Sequence, residues 1–293
     1  MPDNQPLPTP LNQGDFFTLD DWSVLALDGP EALAFAHAQF ASDVTSLAVT
    51  GWQWSVWLNA KGRVLAVFAL VRSGEQSLRL LVPDLPAAEL GDALRRFVFR
   101  RKVTIAARPD LHACGAFVAP TRASGANAAV DAEGDGLELD FGSAARARTL
   151  RIGPEPGTDD ADARQAWTVA DLHAGLPRLP ESQREQWTPQ QLGLERLRAY
   201  SVSKGCYPGQ EIVARTHFLG KAKRELLLLG VDDLVDAGAE VSQEARGLGT
   251  VVAAAGHAPR SALAVLPLER GDGPLQVAGQ SARVLPVEDG LGR

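Results

Sequence analysis

The chain has 293 residues, 45% hydrophobic and 22% charged, with a net charge of -7, a balance that excludes both a disordered polymer and a protein coated in cations for nucleic acid. That length exceeds what one hydrophobic core usually supports, so more than one domain is expected. The 2 cysteines, Cys114 and Cys206, are too few for a disulfide scaffold or an all-cysteine metal site and fit a reducing compartment.

Residues 1–15 are polar and proline-rich, with no basic segment leading into an apolar core, and no apolar run approaches a membrane span. A frayed tail and a cytoplasmic protein without a membrane anchor are expected. Residues 22–27 read as a strand, Asp28-Gly29-Pro30 as a turn and 31–40 as a short alanine-rich helix. Segments 52–58, 63–71 and 77–82 read as antiparallel strands joined at Asn59-Ala60-Lys61-Gly62 and Ser73-Gly74. A helix over 86–97 and a strand over 102–106 complete a β-α-β-β-β-α-β order, in which helices cover one face of an antiparallel sheet.

Residues 120–136 have no period and read as a surface loop among strands near 113–119, 137–141 and 148–152. Thr158-Asp159-Asp160 supplies capping residues for an amphipathic helix over 159–174, and Thr188-Pro189 starts a second helix to about 197. From Lys223 onward, short strands at 225–231, 239–242, 249–255, 262–266, 275–277 and 281–287 predict a small antiparallel barrel. The fold class is α+β, in units 16–107, 108–222 and 223–293.

No glycine-rich phosphate loop is present, and His37, His112, His173, His217 and His257 are dispersed, so no metal centre is expected. Trp52 and Trp54 share a strand face; they are most simply core, and alternatively a flat platform for a planar heteroaromatic ring. Arg95-Arg96-Phe97-Val98-Phe99-Arg100-Arg101-Lys102 is the most nucleic-acid-like stretch. Its simpler interpretation is a solvated helix end with both phenylalanines in the core.

The greatest chemical variety lies in Lys204-Gly205-Cys206-Tyr207-Pro208-Gly209-Gln210-Glu211-Ile212-Val213-Ala214-Arg215. Pro208-Gly209 suits a type II turn, after which a helix starts at Gln210, apolar at Ile212, Val213 and Leu219 and capped by Gly220. Cys206 then stands just ahead of a helix N-terminus with Lys204 near in sequence, and both favour a thiolate if the sulfur is exposed. The plainer alternative is a small buried side chain. Glu211 and Arg215 are spaced for a helical ion pair, which leaves Lys204, Tyr207 and Gln210 as the better binding candidates.

The string KGCYPGQEIVAR, followed by THFLGKAKREL, resembles the signature of the YgfZ-type folate-binding proteins, relatives of the glycine-cleavage T protein (aminomethyltransferase). The resemblance extends through Asp171-Leu172-His173-Ala174-Gly175-Leu176-Pro177, Thr188-Pro189-Gln190-Gln191-Leu192-Gly193-Leu194, residues 39–44 and Lys61-Gly62-Arg63. It implies a three-domain, aminomethyltransferase-like architecture around a hole that receives tetrahydrofolate, with the small barrel last. It also implies an accessory protein that supports iron-sulfur enzymes, including tRNA-modifying ones. Cys206 would then be the reactive or transient ligand thiol, and Lys204, Tyr207, Gln210, Glu211, Arg215, Trp54 and His173 the folate or motif residues. Folate and iron-sulfur proteins or assembly factors are the implied partners, and direct contact with tRNA is not expected. A folate polyglutamate tail is another anion for the cations of 95–102.

The alternative is a folate-dependent one-carbon transferase with Cys206 or Glu211 in catalysis. Where the aminomethyltransferases carry an Asp-Asp pair after the hairpin glycine, this chain has Leu65 and Ala66. Methylene transfer then lacks its proton-handling acid, and no glycine-cleavage activity is expected. The ligand-binding glutamate before Ala-Gly-x-Pro is replaced by His173.

Overall fold

The computed structural model describes residues 15–218, 220 and 222–293. Except for Asp15, the expected tail lies outside these residues, as does Leu219 of the expected helical pattern.

In chain order the elements are β1 (Phe17–Thr18), β2 (Trp22–Asp28), α1 (Ala32–Gln39), β3 (Trp52–Leu58), β4 (Val64–Gly74), β5 (Ser77–Pro83), α2 (Ala87–Arg95) and β6 (Thr104–Ala107). There follow β7 (His112–Ala116), β8 (Ala129–Val130), β9 (Leu137–Asp140), β10 (Thr149–Gly153), α3 (Ala161–His173), a short 3-10 turn (Glu181–Gln183) and α4 (Gln210–Phe218). The chain continues with β11 (Arg224–Val231), β12 (Glu240–Gln243), β13 (Arg246–Ala255), β14 (Ser261–Pro267), β15 (Leu275–Val277) and β16 (Gln280–Leu285). The fold is α+β and built on antiparallel pairs. Its layers are a five-stranded sheet β3-β4-β5-β2-β6, a second sheet β1-β7-β10-β9-β8 and a closed barrel β11-β14-β13-β12-β15-β16.

The first sheet is buried on both faces, which explains why its strands are almost continuously apolar. Leu25, Leu27, Phe68, Leu70, Leu78 and Leu80 pack on Phe35 and Ala36 of α1 and Leu90 and Leu94 of α2. Val24, Trp52, Trp54, Ala69 and Leu81 face the opposite way, into the core of the second sheet. There Trp52 stacks on Phe141 (centroids 5.8 Å apart), and Phe141 stacks on Trp167 of α3 at 5.7 Å. This aromatic column ties both sheets to α3. Beneath it Gly115 is obligatory, since a Cβ there would lie 2.8 Å from the Trp167 ring.

A buried ion network joins the layers. Arg148 donates to Asp171 at 2.6 Å, and Arg178 donates to Asp171 (3.2 Å), Asp21 and both oxygens of Asp84. Removing one member would strand a buried charge, so this network fixes how the layers meet. Helix α3 starts where expected, with Asp160 accepting the Ala163 N–H at 2.9 Å.

Two expectations are corrected. Residues 188–197 form turns rather than a helix: Thr188 Oγ1 does accept the Gln191 N–H (3.3 Å), but Gly193 takes φ +62 and Arg198 φ +56, which breaks the α-helical ladder. The segment ahead of Cys206 is therefore a string of turns, and the motif has a helix only on its C-terminal side. Helix α2 ends at Arg95, before Phe97, because the Phe97 and Val98 N–H groups bond three residues back and Phe99 takes φ +50. Its rings are then not carried into the core: Phe97 is 49% exposed and Phe99 90%.

Candidate functional site

The turn of the motif forms as its residues require: Gly209 takes φ +76 and the Gln210 N–H bonds to Tyr207 O at 3.1 Å. It packs on a second glycine turn. In the β3–β4 hairpin, Asn59 Oδ1 accepts the Lys61 and Arg63 N–H groups (2.9 and 3.0 Å), while Gly62 takes φ +68. A Cβ on Gly209 would lie 2.6 Å from both Asn59 O and Gly62 Cα. Only glycine allows this approach, so the motif is seated against the first sheet by shape.

Lys204 completes the seat. Its ammonium, on a residue 7% exposed, donates to the carbonyl oxygens of His37, Phe40 (2.5 Å) and Ser42 (3.1 Å) at the end of α1. Burial pushes its pKa down to about 8. The ammonium also lies 5.0 Å from the Tyr207 ring centroid, and Tyr207 donates its hydroxyl proton to Ser201 O at 2.9 Å. Burial raises the Tyr207 phenol to about 12, so it remains a donor. Gln210 closes the loop by donating to Lys204 O at 3.0 Å. Lys204, Tyr207 and Gln210 are thus consumed in shaping the loop, and the Lys204 ammonium is directed at α1. What the loop presents outward is Cys206, whose thiol is exposed, whereas Cys114 is buried on β7.

Helix α4 buries Val213 and is held by Gln190, which donates to Val213 O at 2.9 Å. Glu211 and Arg215 are both exposed, and among the described residues the expected ion pair between them is not formed. Arg215 instead borders a cavity of about 570 Å³ with Arg63, Thr188, Gln191, Ile212 and Lys223. Arg63 is oriented by Gln186 O (2.7 Å) and Gln191 Oε1 (3.3 Å). Three cations thus surround a cavity walled by the hairpin, the 188–191 turn, α4 and the segment that enters the barrel. Its size suits a small organic anion.

Trp54 and His173 lie elsewhere. Trp54 is 0% exposed, with its indole N–H on Leu291 O at 2.9 Å and its ring against Phe141, which leaves no face for a stacking ligand. His173, at the end of α3, places Nε2 2.9 Å from Ser261 Oγ of β14 and Nδ1 4.0 Å from Glu288. Burial lowers its pKa. It lines a different cavity, of about 570 Å³, beside Arg260, Arg283 and Glu288 of the barrel side. Arg63, Thr188, Gln191 and Lys223 were not among the candidates. All four lie inside strings that carried the family resemblance, and that was the available signal. Among the described residues no group of three or more His, Cys, Asp and Glu is placed to hold a metal ion, and no helix is long and apolar enough to cross a membrane.

No established family profile matches the chain. It is 30% identical over 264 residues to the tRNA-modifying protein YgfZ of Pectobacterium atrosepticum, covering 81% of this chain and 78% of that one. It is likewise 30% identical to the YgfZ of Serratia proteamaculans over 265 residues, 81% of this chain and 79% of the relative. Among solved structures it resembles the glycine cleavage system aminomethyltransferase T from Bartonella henselae, with a TM-score of 0.71, 16% identity, and coverage of 92% of this chain and 84% of that one. That likeness shows a shared fold.

Proposed function

The chain belongs to the YgfZ family, and on that premise we propose that it binds a tetrahydrofolate in the cavity beside α4 and supports iron-sulfur enzymes, tRNA-modifying ones included, through Cys206. The observation that carries this is the three-cation cavity of Arg63, Arg215 and Lys223 next to a loop whose other polar groups are satisfied and whose thiol faces solvent. Folate glutamates are carboxylates, and guanidinium groups pair with carboxylates through charge-assisted hydrogen bonds. Thr188 Oγ1 and Gln191 Oε1 bond to each other and to the adjoining backbone, which leaves the Gln191 Nε2 amide group to donate to a pterin edge.

In this proposal Arg215 contacts the ligand, and Lys204, Tyr207 and Gln210 hold the thiol loop in place. Glu211 lies on the outer side of α4, and Trp54 and His173 serve the core and the barrel contact. Leu65 and Ala66 stand where a proton-handling acid would be required, so folate acts as a bound ligand and not as the cosubstrate of glycine cleavage. Iron-sulfur proteins or their assembly factors meet Cys206 in a cytoplasmic, reducing setting. Common clusters take four protein ligands, so contact with a cluster is transient or shared with the partner.

Titration of the purified protein with tetrahydrofolate, followed by its tryptophan fluorescence, tests the first half. Arg215→Gln should weaken binding about ten-fold, as expected for loss of one hydrogen bond to a charged group. Equal affinity in the variant would remove the cavity from the proposal. The second half is tested by expressing Cys206→Ser in a strain that lacks the protein. It should fold and bind folate yet fail to sustain iron-sulfur enzyme activity, and full rescue would remove the thiol.

A further inference from the structure

The segment 95–102 departs from what its composition led us to expect, and the departure points outward. Five cations occur in these eight positions, with no acid among them, in a chain of net charge -7. Arg95 is committed, bonding Asp92 and Ile105 O. Arg96, Arg100, Arg101 and Lys102 are exposed, and among the described residues none of their side chains pairs with a carboxylate. Phe99 is 90% exposed at φ +50, a backbone conformation that a bulky residue rarely adopts. The Arg100 guanidinium lies 5.6 Å from its ring centroid. A ring held out of the core in a strained turn, with unpaired guanidinium groups around it, is an arrangement kept for a partner.

The knuckle is also fixed in place. Glu31 accepts the Lys102 N–H at 2.7 Å, and Phe97 packs edge-on to Trp57 at 6.1 Å. Trp57 bridges to Phe40, whose carbonyl holds Lys204 of the thiol loop. Knuckle and thiol loop are therefore mounted on adjoining residues of the same sheet-and-helix layer.

We propose that residues 96–102 form a docking site for unpaired RNA, with Phe99 stacking on a base and Arg96, Arg100, Arg101 and Lys102 contacting phosphates. Aromatic stacking joined to cation contacts is how sequence-tolerant sites hold single strands, and helical RNA offers no open base face to such a ring. An acidic peptide would use the cations and leave the ring without a role. This site is separate from the folate cavity and does not depend on it.

The test is fluorescence polarisation of the full-length protein with a labelled 12-nucleotide single-stranded RNA of mixed sequence, beside the same strand in a perfect duplex. Arms with poly-glutamate and with vesicles containing an anionic lipid complete the set. The single strand should bind more tightly than the duplex. Phe99→Ala should weaken single-strand binding about ten-fold and leave the salt dependence nearly unchanged. Arg100→Gln with Arg101→Gln should lower the slope of log affinity against log salt by about 1.4, at about 0.7 per lost phosphate contact. Both changes are on exposed side chains, and unchanged thermal unfolding will show the variants folded. Absence of single-strand binding at low salt overturns the proposal. So does equal binding by Phe99→Ala, a duplex bound as tightly as the strand, or tighter binding to poly-glutamate or the vesicles than to RNA.

Discussion

The loop around Cys206 and the knuckle around Phe99 look alike as strings, each mixing cations with aromatic residues, yet the fold treats them oppositely. Around Cys206 the cation is spent inside the molecule: Lys204 serves three carbonyls of the first layer, Tyr207 and Gln210 bond to the loop itself, and only the thiol is left outward. Around Phe99 only Arg95 is spent, on Asp92 and Ile105 O, and Phe97 leans on Trp57, while the other four cations and the Phe99 ring face solvent. A polar cluster thus shows its role less by its residue types than by whether its hydrogen-bonding capacity is used up internally.

The sharpest way to break this comparison is to truncate one cation from each region. Lys204→Met should destabilise the protein by about 3 kcal/mol, because buried carbonyl groups lose their donor. Arg100→Gln should stay within about 0.5 kcal/mol, as surface changes usually do. Chemical denaturation of both variants measures the difference, and equal effects would dissolve the distinction. Next in size is Gly209→Ala, which combines φ +76 with a 2.6 Å approach to Asn59 O and Gly62 Cα. We expect a loss of about 2 kcal/mol, at the upper end for a residue forced into such a conformation.

A smaller effect concerns pH. Burial and the nearby Lys204 ammonium hold the His37 imidazole below its usual value of 6.5, against the pull of Asp43. On acidification the unfolded imidazole takes its proton first, so stability should fall as pH drops below 6.5 toward the folded value. His37→Gln should flatten that part of the profile, and an unchanged slope would show that the imidazole is not linked to folding. Smallest of all, Cys206→Ser should leave stability within about 0.5 kcal/mol, since the thiol is exposed and packs nothing. A larger loss in the same denaturation experiment would give Cys206 a structural role.

Most strands of the two sheets and of the barrel were legible because each buries at least one face, so that alternation or a continuous apolar run marks it; the two-residue β1 and β8 were not, and β8 lies within the stretch 120–136 expected as a surface loop. The turn at Pro208-Gly209 and the start of α4 were legible because few residues fit those backbone angles. Other features depend on contacts that composition does not encode. Lys204 is a staple because its partners are backbone carbonyls, which any sequence supplies, and only the path of α1 brings them together. Phe97 and Phe99 were expected inside because the helix was expected to continue, and where α2 stops decides which way they point. The cavity of Arg63, Gln191, Arg215 and Lys223 draws on segments more than a hundred residues apart. Thr188-Pro189 carries a sound helix start, but Gly193 and Arg198 at positive φ end the ladder before a helix forms.

Thermal unfolding with and without tetrahydrofolate tests the central claim most directly, because ligand that binds only the folded state must raise its stability. At 100 times the dissociation constant the gain should be about 2.7 kcal/mol, seen as a saturable rise in Tm that is reduced in Arg215→Gln. An unchanged Tm, with the protein folded and the folate intact, would contradict a folate site in the cavity beside α4.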